Sequence, residues 1–103
     1  MNFNDKVYNL CRKIPKGRIS TYKEIARALN SKAYRAVGQA LRNNPYQPIV
    51  PCHRVVSSSG KLHGFKGNTQ GRALKEKQRM LEREGLTIIN NKIKNFEERL
   101  FRF

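Results

Sequence analysis

Residues 49–56 read Ile49-Val50-Pro51-Cys52-His53-Arg54-Val55-Val56. The apolar ends of this octapeptide call for burial, yet its middle carries a thiol, an imidazole and a guanidinium. Buried polar groups need partners, so the fold must bring partners to this segment. Acids are scarce: Asp and Glu number 7 in 103 residues, and apart from Asp5 and Glu24 all lie after residue 75. Glu84 precedes Gly85, which reads as the left-handed cap of a helix. A carboxylate at a helix C-terminus opposes the helix dipole, which argues for a specific partner, and a helix end can be held rigidly against a loop. Cys52 and His53 then admit two readings. An imidazole near a thiol can draw off its proton and make a nucleophile. Adjacent side chains rarely face each other, so His53 would act through a bound water or the local backbone, with a carboxylate fixing its tautomer. Alternatively the two are a buried structural pair. The residues alone leave both open.

The rest of the chain is cut into short elements. Phe3, Val7, Leu10, Cys11 and Ile14 recur at helical spacing, which predicts a helix over residues 4–13, closed by Pro15 and Gly17. Cys11 falls on its apolar face and reads as a buried structural thiol. Thr21-Tyr22-Lys23-Glu24 matches a capping box and opens a second helix with Ile25, Ala28 and Leu29 inward. After a turn at Asn30-Ser31, a third helix is expected from about Lys32 to Arg42, with Ala33, Ala36, Val37, Ala40 and Leu41 inward and Tyr34, Arg35, Gln39 and Arg42 outward. Two short helices joined by a tight polar turn have the form of a helix-turn-helix. Pro45, Pro48 and Pro51 then stiffen an ordered loop. Val55-Val56 and Lys61-Leu62 are expected to form a small hairpin about Ser57–Gly60. A glycine-punctuated loop leads to a fourth helix from about Thr69 to Glu84, a short strand over Leu86–Ile89, and a weakly amphipathic helical tail carrying Ile93, Phe96, Leu100 and Phe103. The fold class expected is mainly α: a winged helix-turn-helix-like domain with a small β-hairpin, in one domain over 1–103.

Charge narrows the partner. Residues 1–75 hold 15 basic and 2 acidic side chains, and residues 76–103 hold 7 and 5, for a total of +15. A cationic surface around a helix-turn-helix points to nucleic acid. No apolar run reaches the roughly 20 residues that span a bilayer, and the N-terminus lacks a signal-peptide core, so no membrane partner and an intracellular location, cytoplasmic or at the nucleoid or nucleus, are expected. Two cysteines make no disulfide framework, and His53 and His63 lack zinc-finger spacing, so no metal site is expected.

The octapeptide resembles the active-site signature of the 6-O-alkylguanine-DNA alkyltransferases (methylated-DNA–protein-cysteine methyltransferases). Further motifs fall in that family's order: Ile14-Pro15-Lys16-Gly17 with Thr21-Tyr22, Arg35-Ala36-Val37-Gly38, Asn43-Asn44-Pro45, Ser58-Ser59-Gly60, Phe65-Lys66-Gly67 and Leu81-Glu82-Arg83-Glu84-Gly85. The resemblance runs over roughly residues 3–89, with the helix-turn-helix at about 21–43 and the active-site loop at about 44–67.

The resemblance implies roles. Cys52 would attack the alkyl carbon on the guanine oxygen, His53 would take the thiol proton through a water, and Glu84 would orient His53. Tyr22 would approach the flipped nucleotide and donate a proton to the departing guanine. Asn44 would brace the cysteine loop. Arg35 would fill the gap left in the base stack, and Thr21, Tyr22, Ala36, Gln39 and Arg42 would join it against DNA. Backbone groups of Cys52 and Val55, with the Phe65-Lys66 stretch, would line the base pocket. The partner implied is double-stranded DNA carrying alkylated guanine, met by a monomer without a cofactor. Lys66 stands where many relatives have serine and Phe65 where many have tyrosine, which bears on alkyl-group preference. A related set of alkyltransferase-like proteins has tryptophan in place of the cysteine. Two alternatives to repair therefore stand: a non-enzymatic sensor that binds alkylated DNA and recruits repair factors, and a helix-turn-helix regulator with an incidental cysteine.

Overall fold

The computed structural model describes residues 2–47, 49–62 and 72–103. Helix α1 spans Phe3–Arg12, where the Asn2 side chain caps the first turn by accepting the Asp5 N–H at 2.8 Å. Its inner stripe is Val7, Tyr8 and Cys11. The chain then enters β1 (Ser20–Thr21), whose threonine is also the N-cap of α2 (Tyr22–Ala28): the Glu24 N–H donates to Thr21 Oγ1 at 3.0 Å. The Glu24 carboxylate is directed to Arg27 and Arg102, at 3.3 and 3.5 Å. Helix α3 spans Tyr34–Arg42.

The inward faces of these helices differ from the expected ones. In α2 the packed set is Tyr22, Ile25, Ala26 and Leu29, and Ala28 is exposed. The positions i, i+3, i+4 and i+7 make one stripe, and Tyr22 rather than Ala28 completes it. In α3 the stripe is Val37, Ala40 and Leu41, while Ala33 and Ala36 are exposed. Small side chains do not by themselves mark an inner face. Here they leave the outer side of α3 slim beside Arg35 and Gln39.

Val55-Val56 does not pair with Lys61-Leu62. It forms β2, which runs parallel to β1 with Ser20 opposite Val55 and Thr21 opposite Val56. Both valines are fully buried. A strand apolar on both faces suits a covered parallel pair rather than a half-exposed hairpin. Residues 57–61 still turn tightly, with Gly60 at φ +85 and the Phe96 ring 3.0 Å from where a Cβ would stand.

The hairpin of the structure lies later, between β3 (Ile88–Ile89) and β4 (Lys92–Ile93), and replaces the first part of the expected helical tail. Its two-residue turn places Asn90 and Asn91 at φ 52 and 63. A two-residue turn with both central residues at positive φ matches the right-handed twist of its strands, and asparagine tolerates that conformation. A single helical turn, α5, follows at Phe96–Arg99.

Helix α4 spans Arg72–Arg83 in the described residues, and its end has two hydrogen bonds characteristic of a Schellman motif. The Gly85 N–H donates to the Glu82 carbonyl at 3.0 Å and the Leu86 N–H to the Leu81 carbonyl at 3.2 Å, with Gly85 at φ +94. Leu81 and Leu86 pack together in one of two core clusters, which also holds Ile19, Val56, Leu62, Ile88 and Ile93. The other joins α1, α2 and α3 to Val50, Cys52 and Val55. The β1–β2 pair sits where the clusters meet, with Val55 in one and Val56 in the other.

Tyr8 locks α1 to α3. Its buried hydroxyl donates to the Ala40 carbonyl at 2.8 Å, one of the terminal helix carbonyls that lack an intrahelical partner. Tyr8→Phe is expected to lower stability by about 1–2 kcal/mol, read from the urea midpoint at constant slope.

Candidate active site

Pro51 ends the proline-stiffened loop and Cys52–Arg54 forms one tight 3-10 turn. The Cys52 N–H donates to the Val50 carbonyl at 2.8 Å and the Arg54 N–H to the Pro51 carbonyl at 2.9 Å. Asn44 braces the loop from its other end: Nδ2 donates to the Val50 carbonyl at 2.8 Å and Oδ1 accepts the Tyr46 N–H at 2.9 Å. Cys52 is 8% exposed and His53 2%. The turn therefore presents the thiol at the edge of the core and sends the imidazole inward.

The inward groups converge on Glu84, held at the end of α4 by the Schellman motif. His53 Nε2 lies 3.0 Å from Glu84 Oε2. Arg54 grips the same carboxylate with Nε on Oε1 at 2.9 Å and Nη2 on Oε2 at 2.7 Å, and its Nη1 donates to the Ile14 carbonyl at 2.9 Å. A bidentate guanidinium–carboxylate pair sets geometry as well as energy. Burial pushes the Glu84 carboxyl up, but the hydrogen bonds from Arg54 and His53 outweigh it and leave the acid below its ordinary range. Burial holds His53 below its ordinary range against the opposing pull of Glu84. A neutral His53 donating from Nε2 to Glu84 leaves Nδ1 as the acceptor. That Nδ1 is buried and has no hydrogen-bond partner among the described residues.

Tyr22, first residue of α2, packs on the cluster that holds Cys52. Burial, with a smaller contribution from Cys52 and Cys11, pushes its hydroxyl up to about 12, so it stays protonated at neutral pH. Burial likewise pushes the Cys11 thiol up to about 12, in keeping with an inert core residue.

The structure thus gathers Cys52, His53, Glu84, Asn44 and Tyr22 about one loop. Arg35, Ala36, Gln39 and Arg42 are exposed along α3. Thr21 does not share that surface: it is 3% exposed and its hydroxyl caps α2. Val55 is fully buried, and its backbone is engaged within the protein: the N–H donates to the Cys52 carbonyl and the carbonyl accepts from Lys77. Phe65 and Lys66 lie outside the described residues. Among the described residues no cluster of three His, Cys, Asp or Glu side chains is placed to hold a metal ion, and no helix is long and apolar enough to cross a membrane.

Two residues join the site that the sequence reading did not assign. Arg54 is the anchor of Glu84; a guanidinium inside an apolar-flanked segment was itself a signal that a carboxylate must come to it. Lys77 is fully buried, and its Nζ donates to the Val55 carbonyl at 2.7 Å. Burial brings its pKa down to about 7. Its signal was its place on the inner stripe of α4, three residues after Leu74 and four before Leu81.

The depressed values set the response to acid. His53 and Glu84 both bind protons less readily when folded than their ordinary values of 6.5 and 4.5. The contribution of these two groups is therefore complete above pH 6.5 and is lost as pH drops below it, first through His53 and then, under 4.5, through Glu84. Glu84→Gln is expected to cost about 2–3 kcal/mol at pH 7 by leaving charged donors unmatched and to flatten the decline below pH 4.5, both read from urea titrations across pH.

The model of the 6-O-methylguanine DNA methyltransferase DNA-binding domain matches residues 2–86. The chain is 45% identical over 87 residues to a methylated-DNA–protein-cysteine methyltransferase of Sulfolobus acidocaldarius, covering 84% of this chain and 52% of that protein. It spans about half the length of the first such relatives it matches. Among solved structures, S. pombe Atl1 in complex with damaged DNA containing O6-carboxymethylguanine superposes with a TM-score of 0.80 at 31% identity, covering 98% of this chain and 95% of Atl1. Mycobacterium tuberculosis OGT in complex with DNA gives 0.73 at 40% identity, covering 82% of this chain and 50% of that one. The chain belongs to the 6-O-methylguanine DNA methyltransferase family and carries the core of its DNA-binding domain.

Proposed function

We propose that this chain repairs DNA by taking the alkyl group from the 6-oxygen of guanine onto Cys52, once per molecule. The observation that carries the reading is the His53–Glu84 pair behind the cysteine. With Nε2 directed to Glu84, the buried His53 keeps a free acceptor at Nδ1, and through a water that acceptor takes the Cys52 proton. The thiolate sulfur bonds to the alkyl carbon as the carbon–oxygen bond breaks, and the electron pair leaves with guanine. Tyr22, kept protonated by burial, returns a proton to the departing base. The new thioether does not release the alkyl group, so turnover is single and no cofactor enters.

A base stacked in a duplex does not reach a thiol at the edge of a protein core, so the reading requires the nucleotide to flip out, at a cost of a few kcal/mol. The exposed side of α3 suits the task. Ala33 and Ala36 let the helix approach closely, Arg35 replaces the lost base in the stack, and Gln39 and Arg42 flank it. Cationic residues over 1–75 supply the phosphate contacts that position the protein without reading sequence.

A second reading has an observation of its own: Atl1 matches this chain over nearly the whole length of both. In that reading the protein binds alkylated DNA as a sensor. Incubation with a methylguanine duplex separates the two. Repair predicts that intact mass rises by one methyl group, mapped to Cys52, and that Cys52→Ala gains nothing while still binding DNA. Tight lesion binding with no gain in the unmutated protein would give the sensor reading precedence.

Arg35→Ala is expected to slow transfer from duplex DNA by about 10-fold or more, since extrusion of the base loses its replacement, while affinity for unmodified duplex changes by about 2-fold or less. Single-turnover kinetics and fluorescence anisotropy measure the two. Unchanged transfer from duplex DNA would remove Arg35 from that role.

A further inference from the structure

The family match ends at residue 86, but the chain beyond it returns to the site. After α5 the backbone runs alongside β1. The Ile19 N–H donates to the Arg99 carbonyl at 3.1 Å and the Phe101 N–H to the Ile19 carbonyl at 2.7 Å, with Ile19 and Leu100 in a parallel bridge. Ser20, fully buried, donates its Oγ to the Phe101 carbonyl at 2.9 Å. Arg99 Nη1 donates to the Gly17 carbonyl at 3.3 Å, and Arg102 Nε stands 3.5 Å from Glu24 Oε1 in the first turn of α2. The Phe101 ring packs on the cluster that also carries Tyr22. These contacts bracket Tyr22 on both sides, from Gly17 to Glu24.

We propose that residues 99–102 are a positioning strap for the base pocket, holding β1 so that Tyr22 stays in register with Cys52. The proposal rests on the reading of Tyr22 and Cys52 as the groups that meet the substrate base. Tyr22 directly follows β1, and Cys52 stands three residues before β2, so the β1–β2 register sets their relative position. A pair of two-residue strands is marginal by itself. Ile19 is fully buried, so without the strap its amide and carbonyl would lose their partners inside the core. The strand would then relax, and a misplacement of about 1 Å can cost a catalytic site about 100-fold. The exposed face of α3 takes no part in these contacts, so phosphate-driven binding is spared.

Phe101→Pro removes the amide donor, Phe101→Leu keeps it, and Ser20→Ala deletes one hydrogen bond. Two quantities are read: the single-turnover rate of methyl transfer at saturating methylguanine duplex, and the preference for that duplex over an unmodified one in a Cys52→Ala background. Phe101→Pro is expected to lower the rate by about 10-fold or more and erase most of the preference, with affinity for unmodified duplex within about 2-fold. Ser20→Ala should lower the rate about 3-fold, and Phe101→Leu should restore values near the parent's. A cooperatively folded Phe101→Pro protein with the parent's rate and preference overturns the strap. If Phe101→Pro does not fold, an unchanged rate in Ser20→Ala overturns it instead. A parent protein that neither transfers methyl nor prefers the lesion fails before any variant is compared, and that result discards the alkyl-acceptor reading on which the strap depends.

Discussion

The carboxylate of Glu84 is the point on which the structure turns. Two oxygen atoms receive three donors from two neighbouring residues: both prongs of Arg54 and the imidazole of His53. Because Arg54 also reaches the Ile14 carbonyl, the end of α1, the cysteine turn and the end of α4 are tied at one place. Burying a carboxylate is unfavourable unless it is fully matched. The match here is close to complete, which is why the acid stays ionised despite its surroundings. Arg54 thereby frees His53 from having to neutralise Glu84. The imidazole remains uncharged and needs only to donate one proton in a hydrogen bond.

The second constraint is Lys77. A fully buried ammonium is expensive, and this one is met by the Val55 carbonyl on the same backbone stretch that carries the cysteine turn. Its charge is balanced against burial closely enough that its pKa falls to about 7. The cysteine loop is therefore pinned from beneath by α4 twice, once through Lys77 and once through Glu84. Helix α4 backs the cysteine turn, and α3 turns its outer face to solvent.

What could be read from the sequence follows from how local each signal is. The Thr21 cap, the stop at Pro15 and the left-handed Gly85 are decided within a few residues, and the helices they delimit stand close to where they are expected. The contact of His53 with Glu84 was legible for a different reason: with acids so few, a buried polar segment had few partners to choose from. Pairing between distant strands carried no such signal. Val55-Val56 next to Ser57-Ser58-Ser59-Gly60 looks like half of a hairpin, and only the complete burial of both valines shows that it needs a covered parallel neighbour. Asn90-Asn91 was a hairpin turn in plain sight, overridden by the helical spacing of Ile93, Phe96 and Leu100. Alanines in α3 misled because a methyl group fits either a core or a thin surface.

The bond between Ser20 and Phe101 joins residues 81 apart in the chain. Contacts of such separation are entropically costly to close and tend to form late. The helices α1 to α3 can assemble from near neighbours, whereas β1 takes its outer partner from the Arg99–Phe101 stretch, with the Ser20 bond spanning 81 residues. Order at the edge of β1 therefore rests on a closure made across most of the described chain, whereas the helices are held by nearer partners.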